Sequence, residues 1–414
     1  MSSLNITSEV GTLKRVILHS PGPEIEAMTP KEAEADLYND IIPLSAVRGE
    51  FDMLKAFLDT VAKTYEVSDL LARTLADTGN RFEFLSTLSG LCPIRDRIDE
   101  LMAMSPDQLA RGIIQGIPAP TGSLSAAFNS HSFSMRPLPN AYFMRDSAAI
   151  FRDCAISSAT AFDVRLIESL VTRFIFIHHP DFHARSILFD GPRERNRFMT
   201  LEGGDVLVIS PGILAIGISE RTTPDAVQRL AASAAGAFEE PVIIFAVLLP
   251  RERATIHLDM VFTMVDRDAA LVYAPVVLGR NRARVIRLDT RHSGEVVMTE
   301  VPGLIEGLKA VGVDLDPVFC GSGDNIFQER EQWWSGANSF AFSPGQIVMY
   351  SCNTRTVGAL SSRGFAVRKA TDFISGAEKT KDFGRLVVTF DGIELARGGG
   401  GARCMTMPVE RENL

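Results

Sequence analysis

A glycine-rich loop that ends on a cysteine is the part of this 414-residue chain best suited to chemistry. Four consecutive glycines at 398–401 precede Ala402, Arg403 and Cys404. Consecutive glycines cost conformational entropy and are rarely kept for packing, but they let the backbone pass close to a ligand. A cysteine beside a cation is a candidate nucleophile, because positive charge stabilises the thiolate. The loop alone therefore fits two interpretations, a covalent-catalysis site or a flexible segment that happens to hold a free cysteine.

Polar side chains stand just ahead of several predicted β-hairpins. The pattern occurs at Asp146, Asp205, Asp259 and Asn338, and each is followed by two short apolar runs with turn residues between them. Repetition of this kind predicts one supersecondary unit for each occurrence. If the units form a ring, the polar residue at each strand entrance faces a common axis. Their convergence on that axis would make a site.

The convergent groups suit a substrate that carries a guanidinium cation. Two carboxylates can grip a planar guanidinium through charge-assisted hydrogen bonds. A thiolate can then add to the central carbon, and a histidine can protonate the departing nitrogen. The residues that supply these groups are Asp146, Glu202, Asp205, His257, Asp259 and Cys404.

Two other interpretations of these groups stay open. His257, Asp259 and Glu202 are all possible metal ligands, although no second histidine occupies a comparable motif, so we expect no metal. A single Asp before a hairpin is usually a turn or cap residue. Six such residues in register favour a site.

Composition excludes several classes of protein. The net charge of −9 and the lack of a concentrated basic stripe make nucleic acid an unfavourable partner. No apolar run reaches membrane-spanning length, and the opening residues lack the apolar stretch of a signal peptide. The five cysteines are scattered without a CxxC pair, which fits a reducing compartment. We therefore expect a cytoplasmic protein with neither a nucleic-acid nor a membrane partner.

The order of the predicted elements indicates an α+β protein with one helical insertion. Residues 66–118 show apolar residues at three- and four-residue steps, and Ser105 before Pro106 is a helix-start signal. Elsewhere β-rich runs such as 13–18 alternate with longer helical segments such as 224–238. The predicted division is 1–65 for the first part of the catalytic domain, 66–118 for the helical insert and 119–414 for the remainder.

Six short motifs occur along the chain in a fixed order, and two more stand near its beginning. The six are PNAYFMRD at 139–146, LEGGDV at 201–206, ISER at 218–221, HLD at 257–259, EREQW at 329–333 and RCMTMP at 403–408. The other two are LKRVILH at 13–19 and NDIIP at 39–43. In these motifs the sequence resembles the arginine deiminase family of the guanidine-modifying superfamily. The resemblance covers essentially the whole chain.

This resemblance implies a fold and an activity. The implied fold is a five-bladed pentein propeller, with five ββαβ-type units around a pseudo-fivefold axis and an inserted helical bundle. The implied activity is hydrolysis of free L-arginine to L-citrulline and ammonia, with no metal or organic cofactor. We also expect a homo-oligomer, either a dimer or a tetramer.

The resemblance also implies roles for individual residues. Cys404 would be the nucleophile that forms a covalent amidino-thioether, and Asp146 and Asp259 would hold the guanidinium. His257 would protonate the leaving ammonia and then, supported by Glu202, deprotonate the hydrolytic water. The remaining candidates are placed at the substrate-binding end, with Asp205 more a support than a reacting group: Asn140, Phe143, Arg165, Arg221 and Asp205.

Some positions depart from the pattern of the family. The loop places 399–402 hold only glycine and alanine where members often carry arginine or another bulky residue. Cys352, Met260 and Asn39 also replace residues that are frequent in the family. Alternatives therefore remain: a divergent guanidine-modifying enzyme (an amidinotransferase or a dimethylarginine hydrolase), or a catalytically silent arginine-binding protein.

Overall fold

Twenty strands and sixteen helices make up the computed structural model, which describes residues 4–128, 132–291 and 295–414, without the side chain of Ser125. The strands are β1 Leu13–Leu18, β2 Lys63–Glu66, β3 Ile117–Pro118, β4 Phe133–Met135, β5 Ala148–Phe151, β6 Cys154–Ser157, β7 Ile187–Asp190, β8 Val206–Ser210, β9 Ile213–Ile218, β10 Ile243–Leu248, β11 Phe262–Asp266, β12 Ala269–Val272, β13 Val285–Thr290, β14 Val296–Val301, β15 Asp316–Phe319, β16 Phe340–Ser343, β17 Gln346–Tyr350, β18 Ala366–Lys369, β19 Leu386–Phe390 and β20 Met407–Arg411. The helices are α1 Pro23–Glu26, α2 Leu44–Val61, α3 Val67–Leu75, α4 Thr78–Leu88, α5 Ile98–Ala103, α6 Pro106–Gln115, α7 Leu124–Phe128, α8 Leu166–His178, α9 Gly191–Glu194, α10 Pro224–Ala237, α11 Ala274–Val277, α12 Leu304–Ala310, α13 Asn325–Trp333, α14 Thr354–Ser362, α15 Ala370–Ile374 and α16 Ile393–Arg397.

Five of the sheets in the described residues repeat one arrangement. Each contains an antiparallel pair, one member of which also has a parallel neighbour: in four sheets the second strand of a hairpin pairs with a later strand, and in the fifth β1 pairs antiparallel with β20 and parallel with β2. The five sheets have the strand orders β2-β1-β20, β5-β6-β7, β14-β13-β10-β9-β8, β11-β12-β15 and β16-β17-β19-β18. In the sheet of β8, for example, Val206 pairs antiparallel with Ile216, and Ile213 pairs parallel with Ile243.

The hairpins predicted from the polar-then-apolar pattern are confirmed. β5 pairs with β6, β8 with β9, β11 with β12 and β16 with β17, all antiparallel. In the turn between β16 and β17, Gly345 has φ 72°, a left-handed conformation that glycine adopts without steric cost. The polar residue ahead of three of these hairpins lies in a short 3-10 turn, at Met144–Ser147, Gly203–Asp205 and Leu258–Met260.

Four helices, α3 to α6, lie within the stretch that the sequence predicts to be helical. The start of α6 is capped as expected, because the Ser105 hydroxyl accepts a hydrogen bond from the Gln108 N–H at 3.2 Å. The Gln108 side chain accepts in return from the Ser105 N–H at 3.1 Å, which completes a capping box. Leu70 of α3 and Ile113 of α6 share a hydrophobic core with Phe174 of α8. The helices therefore pack onto the side of the molecule that carries β5 and β6.

The pairing of β1 with β20 fixes the position of the glycine loop. The two strands are antiparallel, and Val16 lies opposite Pro408. The loop that ends at Cys404 leads directly into β20, so its end is anchored to a buried strand. Among the described residues, no helix combines the length and the apolar character that crossing a bilayer requires.

Candidate active site

One pocket brings together most of the predicted site residues. Its lining residues come from loops at the ends of strands in separate sheets, which is why they are far apart in the sequence. The residues that line it are Leu37, Asn140, Phe143, Asp146, Arg165, Arg221, Ile256, His257, Gly398, Gly399, Gly400 and Cys404. Glu202, Asp205 and Asp259 lie directly behind this lining.

Cys404 is buried at the pocket, with 3% of its surface exposed. Its Sγ lies 3.7 Å from Asp259 Oδ2 and 4.0 Å from the Met260 sulfur. Backbone contacts hold the residue in place, since its N–H donates to Asn338 Oδ1 at 3.2 Å and its carbonyl accepts from the Arg145 N–H at 3.0 Å. The sulfur is therefore fixed next to a carboxylate.

Arg403 stabilises the thiolate as expected, but other influences on the Cys404 thiol outweigh it. Burial raises the pKa of the Cys404 thiol well above its ordinary value, and the nearby Asp259 and Asp146 raise it further. Arg403 lowers this pKa, but its effect is smaller. Its guanidinium is already engaged, because Nη1 donates to Asp259 Oδ2 at 2.8 Å and Nε donates to Glu9 Oε2 at 2.9 Å.

His257 sits between two carboxylates. Its Nε2 lies 2.8 Å from Glu202 Oε2, and its Nδ1 lies 3.5 Å from Asp146 Oδ1. Burial alone would lower the pKa of His257, but Asp146, Glu202 and Asp205 outweigh it and raise the pKa to about 9. The ring is therefore an imidazolium at neutral pH and can act as a proton donor.

The same cluster could in principle hold a metal ion. Asp146, Glu202 and His257 each offer one ligand atom, and these atoms lie within 4.8 Å of one another. The two carboxylates, however, stand at opposite ring nitrogens of His257. These carboxylates keep the His257 ring protonated, and a metal could bind only after displacing one of its protons. The three residues therefore suit a protonated histidine between two carboxylates better than a metal site.

Two carboxylate oxygens at the site accept no hydrogen bond among the described residues, although His257 Nδ1 lies 3.5 Å from one of them. They are Oδ1 of Asp146 and Oδ1 of Asp259, and both are buried. Leaving a buried acceptor unpaired costs free energy, so such groups in a pocket point to a ligand that supplies donors. A guanidinium carries several N–H donors in a rigid plane and would satisfy both oxygens.

Arg165 already occupies part of this space. Its Nη1 lies 2.5 Å from Asp146 Oδ2, and its Nη2 lies 2.8 Å from Glu168 Oε2. Nη2 also donates to the carbonyls of Asn140 and Phe143, at 3.3 and 3.2 Å. The expected role of Arg165 in binding an α-carboxylate therefore requires part of this network to be exchanged. Glu168, which sequence reasoning missed, is its principal partner.

The other residues expected at the substrate-binding end reach the pocket. Arg221 is buried, its guanidinium lies 4.7 Å from the Phe162 ring centroid, and its Nε has no partner among the described residues. Asn140 donates to the Asp36 carbonyl at 2.8 Å. Phe143 packs against Tyr142 with ring centroids 4.1 Å apart. All three are available to contact a ligand because they line the cavity.

Asp205 belongs behind the pocket and not at its substrate-binding end, so its placement with the substrate-binding residues is corrected. It is fully buried, and Oδ1 accepts from the Leu258 N–H at 2.8 Å while Oδ2 accepts from Ser219 Oγ at 2.6 Å. Ser219 Oγ in turn accepts from the Arg221 N–H at 3.0 Å. Asp205 thereby ties the turn of His257 to the turn of Arg221, which agrees with a supporting role.

Asn338 also belongs to the site, although sequence reasoning did not count it there. Its Oδ1 accepts from the N–H groups of Arg403 and Cys404 at 3.0 and 3.2 Å. Its Nδ2 donates to the Asp259 carbonyl at 3.0 Å. The sequence contains a pattern that could have predicted this position, because Asn338 precedes its hairpin in the same way as Asp259 does.

The rim of the pocket, formed by Leu37, Gly398–400 and Arg253, has a looser construction. Leu37 has φ 68°, which is unfavourable for a residue with a side chain. Arg253 donates to the Arg397 carbonyl at 3.0 Å and stacks over Trp333 at 4.5 Å from the ring centroid. The Asn39 carboxamide lies 3.0 Å from Arg253 Nε and accepts its hydrogen when the amide oxygen takes the nearer position. Polar contacts at the surface therefore link the glycine loop to the segment around residue 37.

Comparison with solved structures relates the architecture to known proteins. An amidinotransferase of saxitoxin biosynthesis from Microseira wollei aligns with 100% of this chain and 98% of its own, at 12% identity and a TM-score of 0.55. A dimethylarginine dimethylaminohydrolase adduct with S-methyl-L-thiocitrulline aligns with 96% and 99%, at 11% identity and a TM-score of 0.51. Unliganded AgrE gives 12% identity and a TM-score of 0.53, and the chain spans 40% of the AgrE length. The chain therefore shares the mixed α+β fold of these proteins.

Sequence comparison gives the family. The family model described as "ADI: Arginine deiminase" matches residues 111–411. A protein from Pediococcus pentosaceus named arginine deiminase is 33% identical over 429 residues, with 100% of both chains covered. Another of the same name from Limosilactobacillus fermentum is 34% identical over 431 residues, again with 100% of both chains covered. With a site of this geometry and relatives that match along its whole length, the chain belongs to the arginine deiminase family.

Proposed function

We propose that the protein is an arginine deiminase that hydrolyses free L-arginine to L-citrulline and ammonia. One observation carries the proposal: Asp146 Oδ1 and Asp259 Oδ1 are buried carboxylate oxygens without a hydrogen bond among the described residues, Asp146 lines the same pocket as Cys404, and the Cys404 sulfur lies 3.7 Å from Asp259 Oδ2. A guanidinium bound to both would present its central carbon to that sulfur. Family membership and relatives named arginine deiminase support the same substrate.

The reaction follows from the groups around the sulfur. The thiolate of Cys404 adds to the guanidinium carbon, and the carbon–nitrogen bond to a terminal amino group breaks as His257 gives that nitrogen its proton. Ammonia leaves, and an amidino-thioether remains on the cysteine. Water, deprotonated by His257 with Glu202 behind it, adds to the same carbon, and the carbon–sulfur bond then breaks. One arginine and one water thus give one citrulline and one ammonia, without a metal or an organic cofactor.

Binding of the substrate cation also brings the positive charge that favours ionisation of the Cys404 thiol. Burial, Asp259 and Asp146 hold the pKa of the Cys404 thiol well above its ordinary value. A guanidinium between the two carboxylates brings positive charge next to the sulfur and favours the thiolate. The nucleophile is therefore formed mainly when substrate is present.

The polar groups near the rim suit the amino-acid end of arginine. Arg221 has an unpaired buried Nε, and Asn140 and Phe143 line the same end of the pocket. Arg165 would join Arg221 on the α-carboxylate after the substrate guanidinium replaces it on Asp146. Asp205 supports the turns that carry His257 and Arg221.

The architecture and setting are part of the proposal. The five sheets with one shared topology support a five-bladed pentein propeller with pseudo-fivefold symmetry. The helices α3–α6 support an insert over 66–118, between a first part at 1–65 and the remainder at 119–414. We also propose a homo-oligomer, a dimer or tetramer, in the cytoplasm, and the five unpaired cysteines support that compartment.

Citrulline release from purified protein tests the proposal. We expect turnover of L-arginine and at least about 10³-fold lower kcat/KM with agmatine, which lacks the carboxylate that Arg221 and Arg165 would bind. Replacing Arg221 by Leu should impair arginine turnover strongly and agmatine turnover only slightly. Methylated arginines, and arginine with an amine acceptor, test the hydrolase and amidinotransferase alternatives. Tight arginine binding without any product would identify a silent binding protein.

A further inference from the structure

Glu9 lies beneath the site, far from the other site residues in the sequence. It precedes β1 and is almost completely buried. Its Oε2 accepts from Arg403 Nε at 2.9 Å, and its Oε1 accepts from Arg403 Nη2 at 3.1 Å and from the Val208 N–H at 3.0 Å. Both oxygens of the Glu9 carboxylate thus bind the Arg403 guanidinium, and one of them also binds the backbone of β8.

The same guanidinium reaches the reacting groups. Arg403 Nη1 donates to Asp259 Oδ2 at 2.8 Å, and that oxygen lies 3.7 Å from Cys404 Sγ. Arg403 Nη2 is shared with the Val206 carbonyl at 2.9 Å. Every nitrogen of Arg403 therefore has an acceptor, and only Nη1 contacts Asp259. The second oxygen of Asp259 stays without a donor among the described residues.

The charge around Glu9 is unusual. Arg403, Arg145 and Arg411 are the cations that face it, and all three are buried. Arg145 Nη2 and Arg411 Nε have no partner among the described residues. Burial, together with the neighbouring cation Arg403, lowers the pKa of Arg145 to about 9 and that of Arg411 to about 10. Without Glu9, Asp259 would be the one carboxylate left in contact with Arg403.

We propose that Glu9 is a positioning residue for the reaction, which holds Arg403 by two nitrogens so that only one N–H reaches Asp259 and Asp259 Oδ1 stays free for the substrate guanidinium. The inference rests on the proposed function for the identity of the substrate. Its physical basis is competition, because a guanidinium released by Glu9 pairs with both oxygens of Asp259 and excludes the substrate.

Two substitutions at opposite ends of the Glu9–Arg403 pair test the proposal. Glu9→Gln keeps the volume and removes a negative charge, so we expect the KM for arginine to rise about tenfold or more. Because the local charge becomes more positive, the pKa of the Cys404 thiol should fall by about one unit. Arg403→Gln should move that pKa in the opposite direction. The thiol pKa is read from the pH dependence of iodoacetamide alkylation of the free protein, with the site of labelling identified by mass spectrometry.

Opposite shifts separate positioning from simple damage to the fold. The groups that face the thiol are Asp259, Asp146, Arg403, Tyr142 and Tyr350. If Glu9 served only the fold, both variants would lose stability and the thiol pKa would not move in opposite directions. Glu9→Asp retains the charge, so its thiol pKa should return close to that of the unmutated protein.

A matched control comes from the neighbouring strands. Glu410 of β20 pairs with Arg15 of β1 and is partly exposed, so Glu410→Gln should change neither the KM nor the thiol pKa. An unchanged KM and thiol pKa in Glu9→Gln would overturn the proposal. The alkylation readout needs no turnover, so it tests Glu9 even if the unmutated protein forms no citrulline.

Discussion

The floor and the rim of the pocket are built by different means. The floor consists of Cys404 and the charged residues around it, all buried: ion pairs join His257 to Glu202 and Asp146, and another joins Arg403 to Asp259. The rim rests on backbone at positive φ and on a half-exposed stacking contact between Arg253 and Trp333. The floor is therefore a fixed arrangement of charge, whereas the rim can change shape at small cost. Chemistry should depend on the first region and access on the second.

The nucleophile at the floor gives the largest expected effect. Cys404→Ser should reduce turnover by several orders of magnitude, because a hydroxyl is a far poorer nucleophile than a thiolate at neutral pH. The variant should still fold and bind arginine. Citrulline assays and binding calorimetry measure the two properties separately. A chloroacetamidine-type reagent should label Cys404 in the unmutated protein, and equal labelling of Cys352 or Cys320 would sink the assignment.

Substitution of Asp146 or Asp259 should give the second-largest effect. Asp146→Asn and Asp259→Asn keep the volume but remove the charge that matches the guanidinium. Truncating one partner of a buried charge pair costs about 2–5 kcal/mol, so kcat/KM should fall roughly 10²-fold or more. Thermal melts serve as the control, since a residue that matters only for its turn would lower stability and leave the activity of the folded fraction intact.

A pair of glycines compares the two regions directly. At Gly204 an added Cβ would lie 2.6 Å from His257 Nδ1 and 2.7 Å from Asp146 Oδ1. At Gly399 the nearest atom would be Arg253 Nη2 at 3.6 Å, although φ is 98°. Gly204→Ala should therefore displace the floor and lower kcat/KM by about tenfold to 10²-fold, following a loss of about 1–3 kcal/mol. Gly399→Ala should cost about 1–2 kcal/mol of stability through its backbone and change kcat/KM less.

Kinetics and denaturant unfolding of both alanine variants measure these effects. The reverse ranking, with Gly399→Ala the more damaging to kcat/KM, would show that the rim takes part in the chemistry. Chemistry would then depend on the rim as well as on the floor.

The smallest expected effect is a shift in pH dependence. His257 has its pKa raised to about 9 from 6.5, so the protonated form is the stable one in the folded protein. Protonated His257 therefore stabilises the folded protein. This contribution to the free energy of unfolding is fully present below pH 6.5 and is lost as the pH rises through about 9. The activity should fall on the alkaline side for the same reason, because the proton donor disappears. Glu202→Gln removes one of the carboxylates that raise the pKa of His257. The pH at which activity falls should therefore decrease by about one unit.

A kcat/KM profile from pH 6 to 10 tests the shift. Deprotonation of the Cys404 thiol forms the nucleophile, so it raises kcat/KM as the pH increases. A fall in kcat/KM at high pH therefore reports the deprotonation of His257. An alkaline limb that stays in place in Glu202→Gln would contradict the coupling between the two residues.

Local patterns carry most of what the sequence could predict. The hairpins at Asp146, Asp205 and Asp259 follow from alternating apolar runs and turn residues, and the cap at Ser105 follows from its neighbours. The convergence of these residues follows from a repeated unit. Cys404 stands out because glycines precede it.

The rest depends on contacts between distant segments. Glu9 and Arg403 meet across nearly the whole chain, and the contact of Arg165 with Asp146 is equally invisible to local patterns. Arg403 illustrates the difficulty. Its place beside Cys404 in the sequence predicts that it stabilises the thiolate, which it does, but its ion pairs with Glu9 and Asp259 were not predictable from that position. Arg403 and Cys404 both contact Asp259 Oδ2, a partner that lies 144 or more positions away in the sequence.

The distribution of the site over separate sheets has a consequence for folding. Asp146 precedes β5, Glu202 precedes β8, His257 precedes β11 and Cys404 precedes β20, so no single sheet carries enough groups to act alone. A cooperative loss of any one of these sheets removes a reacting group from the pocket. Catalysis should therefore disappear when any one of these sheets opens, even if the helices of 66–118 remain folded. Residual activity during heating or limited proteolysis would report on the integrity of the sheets more sensitively than helical content does.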